Sequence, residues 1–169
     1  FMSINSKFKM LALSLDGAHD DQLQKIYDLN QANTPEVGSL ESVDYLDKLI
    51  ELSAYNLLVL KDDQVIGFII CMREGSAYGS ENYKFFTKKL KKFLYVDRVA
   101  IDERHRREGL GQSIYEDIFK LAKKENLPIA LEVNTQPINQ PSLDFHQKMG
   151  FDQVGAKDFD DHSVAYFIK

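Results

Sequence analysis

A chain of 169 residues, 44% hydrophobic and 28% charged, has the size and balance of one globular domain spanning residues 2–169, with little room for a second. Its formal net charge of −5 stands against a nucleic-acid-binding module, no apolar run approaches the roughly eighteen residues a membrane span needs, and a single cysteine, Cys71, excludes an internal disulfide. No secretory signal pattern opens the chain, so the cytoplasm is the expected compartment, and His19, His105, His146 and His162 lack zinc-type spacing with one another or with Cys71, so no metal is expected.

Phe1 precedes Met2 and is set aside as a remnant outside the native start. Residues 8–15, FKMLALSL, read as an apolar first strand that Asp16-Gly17 ends. His19 or Asp20 then caps a helix in which Leu23, Ile26, Tyr27 and Asn30 share a face before Thr34-Pro35 breaks the pattern. Ser39 caps a second helix whose buried stripe is Val43, Leu46, Leu49 and Ile50. Apolar runs at 56–60 and 64–72, joined by Lys61-Asp62-Asp63, predict a hairpin; the second is apolar on both faces, hence central, and Cys71 within it is a core residue. The connection 73–92, REGSAYGSENYKFFTKKLKK, is much longer than a hairpin needs, which suggests a functional loop. Its aromatics Tyr78, Tyr83, Phe85 and Phe86 have two readings: the wall of a ligand pocket, or the inward face of a short amphipathic helix.

Residues 93–111, FLYVDRVAIDERHRREGLG, form the stretch around which the rest is organised. Tyr95, Asp97, Val99 and Ile101 alternate with Leu94, Val96, Arg98 and Ala100 in a strand apolar enough to be covered on both faces. Beyond it, Leu110, Ile114, Ile118, Leu121 and Ala122 fall on one helical face, so Gly109 and Gly111 lie at a helix N-terminus. The first N–H groups of a helix have no partner within it and the peptide dipoles add positive potential there. Glycine admits a close approach of backbone to ligand, and arginine supplies a planar fork of donors, so a phosphate or pyrophosphate fits. The stretch lacks the Gly-Lys-Ser/Thr ending of a P-loop and the first glycine of the dinucleotide fingerprint. Gly-x-Gly alone is equally a bare turn; what distinguishes this one is Arg106-x-x-Gly109-x-Gly111 after a strand.

The helix from Gly109 ends near Glu125, because Asn126 tolerates the left-handed conformation and Pro128 blocks continuation. With the next strand, 129–134, it makes a right-handed crossover, so the strands holding Val99 and Leu131 run parallel. Ligands of such units lie at the carboxyl ends of the strands, where 106–111 and 134–139 meet. Asn139 or Gln140 caps a short last helix with Pro141 in its first turn, Gly150 ends it, and 151–155 and 163–168 are closing strands.

Arg106, Gly109 and Gly111 in this setting resemble the cofactor motif of the GNAT superfamily of N-acetyltransferases, Gln/Arg-x-x-Gly-x-Gly/Ala. Downstream, Asn139, Ser142, Phe145, His146, Gly150 and Phe151 stand where that family often has Asn-x-x-Ala-x-x-Phe-Tyr, three residues and Gly-Phe; the family's tyrosine is His146 here. The two motifs span about a third of the chain. The resemblance implies an α/β fold with a mixed, mostly antiparallel sheet of six to seven strands and flanking helices. It implies transfer of an acetyl group from acetyl-coenzyme A to a primary amine, by direct attack within a ternary complex. The backbone of Val99, Ala100 and Ile101 would hold the pantetheine and acetyl portions, with Arg106, Arg107, Glu108, Gly109, Leu110, Gly111 and Gln112 around the pyrophosphate and Asn139 and Ser142 joining from the second motif. Asp97 is the first choice for the base, since strict alternation puts it on one face with Val99 and Ile101; its other reading is a partner for Arg98 or Arg104. Glu132 is the runner-up, projecting with Ala130 and Asn134. His146 takes the place of the family's proton donor to the departing thiolate, or else faces solvent beside the core position Phe145. Tyr83, Phe85 and Asn134 are placed against the acceptor, a small-molecule or peptide amine, with no membrane involved and room for a homodimer.

Residues 84–107 hold nine Lys/Arg against Asp97, Asp102 and Glu103, a balance of +6 that leaves −11 elsewhere. Coenzyme A would satisfy such a segment, and so would nucleic acid, because Tyr83, Phe85, Phe86, Phe93 and Tyr95 interleave with Lys84, Lys88, Lys89, Lys91 and Lys92. Overall acidity and the lack of a nucleic-acid motif make that the weaker alternative. A third class is a regulator that binds acyl-coenzyme A without turnover, a reading the missing tyrosine keeps open.

Overall fold

The computed structural model describes residues 8–13 and 20–169, in which seven strands form one mixed sheet. In chain order the elements are β1 (Lys9–Leu11), α1 (Asp20–Ala32), α2 (Val43–Leu52), β2 (Tyr55–Lys61), β3 (Gln64–Arg73), α3 (Glu81–Lys89), β4 (Leu94–Ile101), a 3-10 turn (Glu103–His105), α4 (Leu110–Glu125), β5 (Ile129–Gln136), α5 (Gln140–Lys148), β6 (Asp152–Asp158) and β7 (Ser163–Ile168). The strand order is β1-β2-β3-β4-β5-β7-β6, and every neighbouring pair is antiparallel except β4 and β5. This is the mixed, mostly antiparallel sheet that the resemblance implies. The assignments to Asp16-Gly17 and to the capping side chains of His19 and Asp20 lie outside the described residues.

Local chemistry explains most element boundaries. Asp62 and Asp63 both take positive φ (49° and 62°), the two-residue turn whose twist suits the β2–β3 hairpin. Helix α2 is capped by Ser42, whose hydroxyl accepts the Tyr45 N–H at 3.1 Å, and not by Ser39: the apolar stripe begins at Val43, and a cap must directly precede its helix. Asn126 closes α4 at φ 55°, its N–H donating to the carbonyls of Ala122 and Lys123. The long connection after β3 holds α3, capped by Ser80.

The sheet carries a core on each face. One is built with α4 and α5 and includes Leu57, Ile69, Val96, Ile114, Ile118 and Leu131. The other is built with α1, α2 and α3 and includes Ile26, Leu46, Ile50, Phe68, Phe86 and Tyr95. Each such side chain removes enough apolar surface from water to contribute about 1.5–3 kcal/mol. Among the described residues, no helix is long and apolar enough to cross a membrane, and no three His, Cys, Asp or Glu side chains converge as a metal-binding group.

Two irregularities in β4 position everything that follows. The strand pairs with β5 only at Leu94↔Ile129 and Tyr95↔Ala130, beyond which the two separate. Against β3 the register jumps from Cys71↔Val96 to Ile70↔Arg98, leaving Asp97 as one extra residue. Such a bulge inverts the alternation. Leu94 and Val96 before it, and Val99 and Ile101 after it, pack on the α4 side, whereas Tyr95 and Ala100 pack on the α1–α3 side. Strict alternation puts Asp97 with Val99 and Ile101; the bulge instead turns its carboxylate to the opposite face, toward Tyr78 and Arg98.

Candidate active site

The carboxyl end of β4 feeds through the 3-10 turn into residues 106–111. Arg107 and Gly109 both adopt positive φ (67° and 80°), so the chain reverses tightly before α4 begins. A Cβ on Gly109 would meet nothing within 4 Å, so glycine is needed there for backbone angle alone. Gly111 has no such angle, and a Cβ on it would make only ordinary contact with Ile101 (3.7 Å) and Phe145 (3.9 Å). No side chain caps the start of α4, which leaves its first-turn N–H groups able to receive an anion. The Arg106 guanidinium donates to Asn33 Oδ1 at 2.7 Å, tying the turn to the end of α1, and Arg107 is exposed. The side chains of Glu108, Leu110 and Gln112 are engaged elsewhere: Glu108 meets His105 (2.9 Å) and Lys61 (3.9 Å), Leu110 is buried in the core, and Gln112 donates to Glu116 (3.2 Å). Of these three, only the backbone is left for an anion at the turn.

Past Tyr95, the edge of β4 that faces β5 has no ladder partner along Val99, Ala100 and Ile101. Alternating free N–H and C=O groups suit an extended, amide-bearing chain. The donor set of the open strand edge and uncapped helix therefore fits both the pantetheine and the pyrophosphate portions of coenzyme A.

On the α1–α3 face of this opening lie two carboxylates in different surroundings. Asp97 accepts from Tyr78 Oη (2.6 Å) and from Arg98 Nε (2.8 Å), with the Asp97 and Arg98 side chains only 4% and 8% exposed. Arg98 also donates to Asn30 Oδ1 (2.9 Å) and to the Gly38 carbonyl (3.0 Å). Asp97 is thus the partner of Arg98, while Arg104 pairs with Asp102. Glu132 has no cation within salt-bridge distance among the described residues. It accepts from Tyr95 Oη at 2.6 Å and from Asn82 Nδ2 at 3.2 Å, and Tyr166 Oη donates to Asn82 Oδ1 at 2.7 Å. Burial pushes the Glu132 carboxyl up to about 8; the Tyr95 bond opposes this, the Asp97 charge adds to it, and Arg98 and Asn82 oppose it further.

Residues 23–151, more than half of the chain, match the Acetyltransferase (GNAT) family. The chain belongs to the GNAT family. Solved structures agree in fold: Ard1 of Thermoplasma volcanium (TM-score 0.73, 18% identity, covering 96% of this chain and 97% of that one) and Arabidopsis thaliana Naa50 with a bisubstrate analogue containing coenzyme A (0.70, 18%, 96% and 98%). Arabidopsis thaliana NAA60, also solved with a bisubstrate analogue, is similar to the same degree (0.71, 13%, 96% and 97%). At these identities the likeness concerns the fold. No curated protein matches the sequence.

The second GNAT motif is arranged differently from the expectation. His146 is buried at 5% exposure, with Phe145, Phe151 and Tyr115 packed edge-on around it. Its Nδ1 lies 2.7 Å from the Ser142 carbonyl, which only accepts, so Nδ1 carries the proton and Nε2 accepts from Tyr115 Oη at 2.7 Å. Burial lowers its proton affinity, opposed by the Ser142 carbonyl, so the ring is held neutral. His146 therefore neither faces solvent nor presents a free N–H: it shares a face with Ser142, as expected, but that face looks toward α4. Asn139 accepts the Ser142 N–H at 3.3 Å as the cap of α5, so the side chains of Asn139 and Ser142 are engaged within that helix. Replacing His146 by Phe is expected to leave the Tyr115 hydroxyl buried without a partner and to cost about 1–3 kcal/mol in urea denaturation. Adding Tyr115→Phe should recover part of that loss, because the orphaned group is then gone.

Tyr83 and Phe85, expected against the acceptor, belong to the inward face of α3. Tyr83 is 2% exposed and its ring packs on Tyr78, Phe93 and Tyr95, while Phe85 stacks on Tyr166 at a centroid distance of 3.9 Å. Phe86, Phe93 and Tyr95 are also buried, so this basic segment offers nucleic-acid bases no stacking platform from them. Asn134, also expected against the acceptor, donates to the Pro35 carbonyl at 2.9 Å. Arg106, Asn134 and Arg98 together hold the α1–α2 segment through Asn33, Pro35 and Gly38. That segment, Asn82 and Tyr166 escaped the sequence reading, because no local spacing signals contacts across 60 to 99 residues.

Proposed function

We propose that this GNAT protein transfers an acetyl group from acetyl-coenzyme A to a primary amine on a small molecule or a peptide, with Glu132 as the general base. The observation that carries this reading is the state of Glu132 at the strand opening: a carboxylate held by two neutral donors, without a cation partner, and with its proton affinity raised toward neutrality. A carboxylate offers about four lone-pair sites, so two remain for an amine or a bridging water. Asp97 is the poorer choice, since Tyr78 and Arg98 engage both its oxygens and Arg98 balances its charge.

Bound along β4 and the 106–111 turn, the thioester supplies an activated acetyl group. The amine nitrogen attacks the carbonyl carbon, the new N–C bond replaces the C–S bond, and Glu132 takes the proton that the nitrogen loses. Both ring nitrogens of His146 are engaged between α4 and α5, so water protonates the leaving group.

Coenzyme A release over a panel of primary amines tests the activity; binding of acetyl-coenzyme A with no amine acetylated would favour the regulatory reading instead. The binding turn has its own test. Gly111→Ala, which the family motif allows and the local packing accommodates, is expected to retain affinity by calorimetry, whereas Gly111→Val is expected to remove it, because its extra methyls crowd Ile101 and Phe145 and shift the first turn whose N–H groups receive the phosphate. Unchanged affinity in a folded Gly111→Val protein would move the phosphate site elsewhere.

A further inference from the structure

The helix α3, inserted between two adjacent antiparallel strands that a short turn could join, delivers one polar side chain to the edge of the site. Asn82 follows the cap Ser80 by two positions, and its neighbours Tyr83, Phe85 and Phe86 pack inward and lock the helix onto the sheet. Its amide is oriented from both ends. In its ionised form the Glu132 carboxylate only accepts, so the NH₂ group faces it and Oδ1 receives the Tyr166 hydroxyl at 2.7 Å. With Tyr95 donating to the other oxygen, the carboxylate is clamped by groups from β4, α3 and, through Asn82, β7. None of the three clamping groups carries a charge that would neutralise it.

We propose that Asn82 is a positioning residue for acetyl transfer: backed by Tyr166, it holds the Glu132 carboxylate in the orientation and ionisation state in which it receives the amine proton. The inference rests on the reading of Glu132 as the base. Its physical basis is that a donor to a carboxylate favours the charged form, and a donor fixed by a second bond keeps that preference without losing orientation. The other titratable groups around Glu132 are Tyr95, Asp97 and Arg98 on β4, Tyr166 on β7 and Tyr115 on α4. Substitution of Asn82 leaves Tyr95, Asp97, Arg98 and Tyr115 with their partners and removes only the acceptor of the Tyr166 hydroxyl, which Tyr166→Phe controls for.

Two variants and two readouts test it. Asn82→Leu removes the donor, and Tyr166→Phe keeps the ring stacked on Phe85 while releasing the amide. The Glu132 titration is followed by NMR of the protein labelled with carbon-13 at the glutamate carboxyls, assigned by difference from Glu132→Gln. The acidic limb of kcat/KM is measured for an amine that the wild-type protein acetylates. Both midpoints are expected to move up, by about one unit in Asn82→Leu and less in Tyr166→Phe, with coenzyme A affinity unchanged. An unmoved Glu132 midpoint in both folded variants overturns the role of Asn82. If the NMR midpoint moves and the kinetic limb stays, the reading of Glu132 as the base falls, and the positioning role in catalysis falls with it.

Discussion

Glu132→Gln is expected to lower kcat/KM for the amine by about 10²- to 10⁴-fold while leaving acetyl-coenzyme A affinity intact, the range that loss of a general base produces. Glutamine keeps the shape and can still accept from Tyr95, so the change is confined to proton acceptance. The sign of the pH dependence follows from the raised carboxyl. Only the ionised form can take a proton, so wild-type kcat/KM should climb as pH rises through about 8, and the Gln variant should lose that limb. The acceptor amine ionises as well, and comparing amines of different basicity separates the two: its limb moves with the amine and the Glu132 limb does not. A Gln variant that keeps both the wild-type rate and the wild-type limb would transfer the role to a water or to another group.

Arg98→Ala carries the largest expected loss of stability, about 3–5 kcal/mol in urea denaturation, because it leaves the Asp97 carboxylate buried without its cation. The same guanidinium holds Asn30 and the Gly38 carbonyl, so the variant also loosens α1 and the α1–α2 segment from β4. Changing Asp97 and Arg98 together to leucine should cost clearly less than Arg98→Ala alone, since the uncompensated charge is then absent. A loss below about 1 kcal/mol in Arg98→Ala would mean that the pair behaves as an exposed one, against its burial.

Features that depend on nearest neighbours were legible before any fold was known. The apolar spacing after Gly109, Asn126 at the end of α4, Asp62-Asp63 between β2 and β3, and the Arg106-to-Gly111 turn all express preferences of a few consecutive residues, and the structure places them as read. So was the family, because its two motifs are local patterns in a fixed order. Tertiary structure decided the chemistry around them. The bulge at Asp97 arises from pairing with β3 and is invisible to alternation within β4, yet it determines which face receives the carboxylate. His146 meets Tyr115 across 31 residues, and Glu132 meets Asn82 across 50. Whether an aromatic in α3 lines a pocket or fills a core depends on what the sheet opposite presents, and here Tyr95 and Tyr166 present rings that it packs against. The amino-acid sequence by itself determined most of the elements, α3 excepted, together with the turn that suits a phosphate and the family. Long-range packing alone decided which carboxylate is neutralised by arginine and which is held by neutral donors, because burial and partners are properties of the assembled sheet and not of any short segment.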